Sequence, residues 1–373
     1  MPCEMVSLRR GDVGPLPRLA TERATAVTSD VAELDLDDVA KVAHDLGQWL
    51  PLPMQGDTLT LWETLASLGA VDLTVARVVE PHVDALSILR EARREHAVPD
   101  EEWGRSWPDW SAARLWGVYA AEGPERLHAE RQPDGTWCLH GVKPWCSLAD
   151  RVSHALVTAW VDDEQRGLFA IDMSDAGILV AVGDDESAGQ SSQWVSRGLT
   201  QVRSTAIHVD DCPAVPIGAP QWYLTRPGFA WGGAGVAAVW YGGTVALACR
   251  LRETFARRAP DQVALMHLGA VDTALTRARA VLQEAAAVAD DPETPGAEAV
   301  LVAQRVRQVV ADTSEEVLTR VGHALGPAPL TGEEEHARRV ADLTVYVRQH
   351  HGERDLARQG QLSLDSAEGW LWW

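Results

Sequence analysis

The sequence predicts an α+β chain in three parts. These are an N-terminal helical domain over residues 1–110, a central antiparallel β-barrel domain over 111–220 and a C-terminal four-helix bundle over 221–373. Three observations predict it. Apolar residues recur every three or four positions up to about residue 95. Between residues 116 and 209, short apolar runs are separated by Gly, Pro and Asp turns. Beyond residue 222 the helical period returns in four long stretches. With 46% of 373 residues hydrophobic, the chain has apolar material for more than one core.

In the first part, Asp37 and Asp38 precede an apolar-periodic run that ends near Trp49, where Pro51 and Pro53 break it. Asp57 or Thr58 caps a second helix. Leu61, Trp62, Leu65, Leu68, Val71, Val75, Val78 and Val79 form its apolar face. Pro81 ends or kinks this helix, and a third spans residues 82–95. His82 and His96 are lone histidines with core or surface roles. A connector rich in tryptophan (Trp103, Trp107, Trp110) leads into the β-domain.

Strands are expected near residues 116–121, 126–131, 136–139, 155–161, 168–172, 178–182 and 204–209. Pro133-Asp134-Gly135 makes a turn, because proline presets φ and glycine accepts a positive φ. Trp137 and Leu139 then alternate with Cys138 and His140, the period of a strand with one buried face. Gly141 breaks that strand, and Trp145-Cys146-Ser147 follows. A flat aromatic two residues before a hydroxyl suits the wall and donor of a site for a planar heterocycle. Core packing and capping are the ordinary duties of such residues. Residues 183–193 read as an exposed acidic loop, and residues 210–213 end the β region.

The bundle helices are expected over residues 233–258, 261–289, 297–325 and 332–358. Residues 229–249 are uncharged and long enough to span a membrane, but five glycines and few large aliphatics favour a buried, closely packed helix. Gly232-Gly233-x-Gly235 follows no βαβ strand, so it too reads as close packing rather than a phosphate loop.

The formal net charge is −21. Such a surface repels phosphate backbones, so no nucleic-acid partner is expected, and no membrane partner. Five cysteines without a CxxC spacing point to a reduced, cytoplasmic protein with no disulfide framework and no metal site. Residues 1–10 carry no apolar leader core.

Gly-x-Trp-x-Leu-x-Gly-x-Lys-x-Trp-x-Ser across residues 135–147 resembles the middle-domain signature of the acyl-CoA dehydrogenase family, with one spacing slightly off where Thr136 stands between Gly135 and Trp137. Residues 337–346, Ala-Arg-Arg-Val-Ala-Asp-Leu-Thr-Val-Tyr, resemble the family's arginine–aspartate segment, and the order of the three parts is also similar. The resemblance implies FAD as cofactor. It places Trp145 beside the flavin ring, Ser147 near flavin N5 and Cys146 between them. Ala120 and Glu122 stand where the family has a Thr-Glu-Pro motif, whose Gly-Ser-Asp continuation is missing here. Arg257 and Arg258 stand near the arginine that reaches a neighbouring subunit's pyrophosphate. Gly326 stands in a turn near the adenine end.

The family's base is a carboxylate eight residues beyond the motif aspartate. Counting from Asp342 gives His350, a neutral imidazole competent as a base. Glu253 is a weaker candidate, and Glu353 reads as a charged helix end paired with Arg354 or a neighbour's arginine. The resemblance implies α,β-dehydrogenation of an acyl thioester or similar small molecule by a homodimer or homotetramer. A flavoprotein or O2 would accept the electrons. Two alternatives are a flavin-dependent monooxygenase on the same fold and a redox-silent homologue acting as a partner subunit.

Overall fold

The structure, a computed structural model, describes residues 5–9, 11, 13–28, 34–98, 114–181 and 194–365. The tryptophan-rich connector, the acidic loop at 183–193 and the tail at 370–373 lie outside the described residues.

Four helices come first: α1 (Pro15–Thr28), α2 (Leu36–Trp49), α3 (Thr58–Val71) and α4 (Leu73–Arg94). The single apolar face expected across residues 61–79 is split at Asp72. That residue is extended (φ −158°, ψ 130°), and its carboxylate accepts from the Thr74 and Val75 N–H groups, which starts a new helix. Arg338 Nη2 meets Asp72 Oδ2 at 2.8 Å and anchors the corner. Pro81 does not end α4, which runs through it for 22 residues. Burial along nearly the whole helix offsets the lost hydrogen bond.

Seven strands follow: β1 (Trp116–Tyr119), β2 (Leu127–Arg131), β3 (Trp137–Ser147), β4 (His154–Trp160), β5 (Arg166–Asp172), β6 (Ile178–Val180) and β7 (Ser204–Ile217). They pair in the order β1-β4-β2-β3-β7-β5. A further β4–β5 pairing closes the barrel, and β6 lies on β7. Two expectations are corrected here. Gly141 does not break β3, and residues 210–213 do not end β7. The β3–β7 ladder absorbs the irregularities as register shifts, between Leu139 and Gly141 and between Lys143 and Cys146. Gly141 is required there: at φ +113° a side chain would sit 2.3 Å from the Arg126 carbonyl oxygen.

After the short α5 (Trp222–Thr225) come α6 (Gly228–Arg257), α7 (Gln262–Asp290), α8 (Gly296–Leu325), α9 (Ala328–Gly332), α10 (Glu334–Tyr346) and α11 (Glu353–Asp365). The last long helix expected over 332–358 is interrupted by a 3₁₀ turn, Val347–Gln349, so Glu353 opens a new helix. The apolar run at residues 229–249 lies in α6, whose most apolar stretch is mostly buried inside the fold. Its glycines bring backbones together. A side chain at Gly242 would sit 1.9 Å from the Ala66 carbonyl oxygen, and one at Gly69 would sit 2.4 Å from that of Val239. Among the described residues, Cys138, Cys146 and Cys212 are free, whereas Cys249 is disulfide-bonded, against the expectation of a fully reduced chain.

Candidate functional site

The site starts at the second register shift of β3. Trp145 occupies that bulge with φ +61°, a left-handed backbone that costs a non-glycine residue on the order of 1–2 kcal/mol. The bulge turns its indole outward, 62% exposed, while Cys146 beside it is fully buried. A strained, bare tryptophan in an ordered strand marks a position shaped by something other than packing. Cys146 packs inward, with Sγ 3.2 Å from the Lys143 carbonyl oxygen. Burial pushes its thiol well above the usual range, so it is inert.

Ser147 faces the opposite way, toward α4. Its Oγ accepts from Arg77 Nη2 at 3.1 Å and lies 2.7 Å from Ser204 Oγ. Tyr119 donates its hydroxyl to the Ser147 carbonyl at 3.0 Å. The void left among Arg77, Pro81, Tyr119 and Ser147 measures about 10 Å³, room for one water at most. Nothing the size of a flavin ring fits between Ser147 and α4. On the solvent side, the Trp145 indole is open and presents a flat apolar face.

Glu122 is a hub rather than a free ligand. Its Oε1 accepts from Lys143 Nζ at 2.8 Å and Arg166 Nη1 at 2.9 Å, and its Oε2 accepts from Trp160 Nε1 at 2.9 Å. Partial burial pushes its pKa up. The bonds from Lys143, Trp160 and Arg166 outweigh this and hold the carboxyl below its usual range. Lys143 is only 1% exposed, so this pairing spares the interior an uncompensated charge. Ala120 follows β1 immediately, half-buried, and its carbonyl faces Thr158 Oγ1 at 3.5 Å.

From Ser147 a buried polar seam runs through the helices. Arg77 Nη1 stands 3.5 Å from Glu80 Oε2, and its guanidinium lies over the Tyr346 ring at 5.6 Å. Arg307 lies over the Trp240 ring at 5.0 Å, and Trp240 packs edge-on against Tyr346. Arg307 donates to the Gly233 carbonyl at 2.7 Å and the Gln349 carbonyl at 3.2 Å, which brings the seam to His350. Further along α4, Asp84 and Glu91 meet Arg226 at 3.7 and 2.6 Å. Residues 77, 80, 84, 87 and 91 recur at alternating steps of three and four, so one face of α4 is polar yet turned inward.

His350 is almost buried. Its Nδ1 accepts from the Gly352 N–H at 3.2 Å, and its Nε2 stands 3.6 Å from Asp355 Oδ2. Burial lowers its pKa, which Asp355 partly offsets and the Arg307 charge reinforces. It closes the turn between α10 and α11.

The structure therefore links Ser147 and His350 through Arg77, Glu80, Tyr346 and Arg307, none of which the sequence singled out as site residues. The missed signal was the acidic and basic spacing hidden among Val75, Val78 and Val79. The other expected residues lie apart. Arg257 and Arg258 are exposed at the C-terminal end of α6, about 36 Å along the helix from Gly233 at 1.5 Å per residue. Glu253 is exposed on the same turn of chain, and Gly326 caps α8 with φ +69°.

No family model and no curated protein matches the chain. Solved structures do. TdsC from Paenibacillus sp. A11-2, bound to FMN and indole, superposes with a TM-score of 0.75 at 16% identity over 94% of this chain and 98% of that one. TdsC is a dibenzothiophene monooxygenase. KijD3, in complex with FMN and a dTDP-linked amino keto sugar, gives 0.73 at 16% identity over 95% and 96% of the two chains. The methanesulfinate monooxygenase MsuC from Pseudomonas fluorescens gives 0.72 at 17% identity over 95% and 97%. At these identities the likeness establishes the fold. The chain has the acyl-CoA dehydrogenase-like fold along nearly its whole described length.

Proposed function

We propose that the protein is a flavin-dependent oxidoreductase acting on a small molecule. Trp145 carries this reading. Its indole is strained and 62% exposed, on a fold that binds FMN in TdsC and KijD3. A bound flavin would supply two-electron chemistry. The chain's own residues bind and orient: Trp145 offers a flat apolar wall, and Ser147, held by Arg77 and Ser204, fixes the strand end that carries it. FAD is the cofactor that the sequence resemblance implies, and FMN is the flavin in those two structures.

Dehydrogenation and monooxygenation both remain readings of this site. Anaerobic mixing with candidate substrates separates them: bleaching of the bound flavin marks dehydrogenation. An O2-dependent product from pre-reduced flavin, without that bleaching, marks monooxygenation.

A second reading, a redox-silent partner subunit, is favoured by one observation: Arg77 already holds the Ser147 hydroxyl and fills the space beside it. Titration with FMN and with FAD decides between the readings. Quenching that saturates, and that weakens about ten-fold in Trp145→Ala through lost stacking, supports the enzyme. A colourless protein that takes up neither flavin supports the partner subunit. We also propose a cytoplasmic location and assembly as a homodimer or homotetramer through the bundle.

A further inference from the structure

Glu80 has an unusual setting. It is 7% exposed in the middle of α4. Its Oε2 meets Arg77 Nη1 only at 3.5 Å, too long for a firm charge-assisted hydrogen bond. The groups that face it come from three helices: Arg77 and Asp84 from α4, Arg307 from α8 and Tyr346 from α10. Arg307 spends its donors on the Gly233 and Gln349 carbonyls. The Tyr346 hydroxyl is buried and has no well-formed hydrogen bond. Arg77 and the Tyr346 hydroxyl favour the ionised carboxylate, but both contacts are loose, so burial leaves that form poorly compensated.

Arg77 stands between this carboxyl and Ser147, with one guanidinium nitrogen toward each. We propose that Glu80 is a positioning residue that exchanges a proton and acts through Arg77. Its charge state sets how strongly Arg77 is drawn from the Ser147 hydroxyl, and hence how firmly the strand end that carries the Trp145 bulge is held for a ring bound there. When ionised, Glu80 competes for Arg77. When protonated, it releases Arg77 to the Ser147 hydroxyl, which also meets Ser204 Oγ at 2.7 Å, and the strand end is held from both sides. Burial pushes the Glu80 pKa up to about 7, against the pull of Arg77, Arg307 and the Tyr346 hydroxyl. The identity of the ring rests on the flavin reading above. The proton on Glu80 does not.

The test has two arms. In the ligand-free protein, pH-difference infrared spectra are expected to show a protonated-carboxyl band that grows as pH falls through neutrality. Glu80→Gln should lack it, and in Arg77→Met it should persist to higher pH because the stabilising cation is gone. In the second arm, FMN affinity is expected to rise as pH falls through the same range, by at most about ten-fold per pH unit for one linked proton. Glu80→Gln should flatten that profile.

A band unchanged in Glu80→Gln overturns the proposal, as does FMN binding whose pH profile the substitution leaves intact. Absence of flavin binding together with a titrating Glu80 band sinks the flavin reading and leaves the carboxyl's role standing. If Glu80→Gln does not fold, the shift of the band in Arg77→Met decides, and no shift overturns the pairing.

Discussion

At the scale of single residues, the proposed site rests on side chains that oppose their surroundings. Trp145 is apolar and exposed, whereas Glu80 is ionisable and buried. Glu80 makes a stability prediction with a definite sign. Its folded pKa, about 7, lies above its ordinary 4.5, so the folded state binds the proton more tightly. Its contribution is therefore most favourable below pH 4.5 and is lost as pH rises to about 7, at up to about 1.4 kcal/mol per pH unit. His82 tilts stability the other way. Burial pushes it down to about 3, so its contribution is lost as pH falls below its ordinary 6.5. The difference between wild type and Glu80→Gln isolates the carboxyl. Denaturant melts across pH 5 to 8 should show the variant gaining on wild type as pH rises. Parallel curves would contradict the buried, weakly paired setting.

At the scale of elements, close helix packing and capping explain where the chain departs from simple periodicity. The α3–α6 crossing depends on Gly69 and Gly242. Gly242→Val would drive a side chain into the Ala66 carbonyl 1.9 Å away, and we expect a loss of about 3 kcal/mol or more. Gly269→Ala is the contrast. Gly269 lies within α7, and the methyl group that alanine adds there meets nothing within 4 Å, so the substitution should stabilise by about 0.5–1 kcal/mol. Thermal denaturation of the two variants checks both signs. The corner between α3 and α4 gives a third case. Asp72→Ala removes a helix cap and the partner of Arg338, and should cost about 2 kcal/mol.

At the scale of the whole molecule, 54 acidic residues face 33 basic ones. The surplus lies largely on the surface, where like charges repel. Raising ionic strength from about 10 mM to 150 mM shortens the Debye length from about 30 Å to about 8 Å. It should raise the melting temperature measurably, and a melting temperature that falls with salt would mean that net attraction dominates. The same fold serves TdsC, KijD3 and MsuC at 16–17% identity, which shows how loosely sequence constrains this architecture.

The sequence by itself determined the three-part α+β architecture, because a period of two in the middle and of three or four on either side needs no partner to be read. It determined the turn at Pro133–Gly135 and the glycine-rich packing of the apolar helix, since these follow from local backbone chemistry. It also identified Trp145 and Ser147 as a pair worth following. Only the tertiary structure decided that the two point in different directions, because a bulge against β7 separates their faces. Only it brought Arg77 and Glu80 from α4, Arg307 from α8 and Tyr346 from α10 to one seam. A buried charge and a solvated one look identical along a helix until the neighbouring helices are in place. The polar stripe of α4 could therefore be recognised only from its packing.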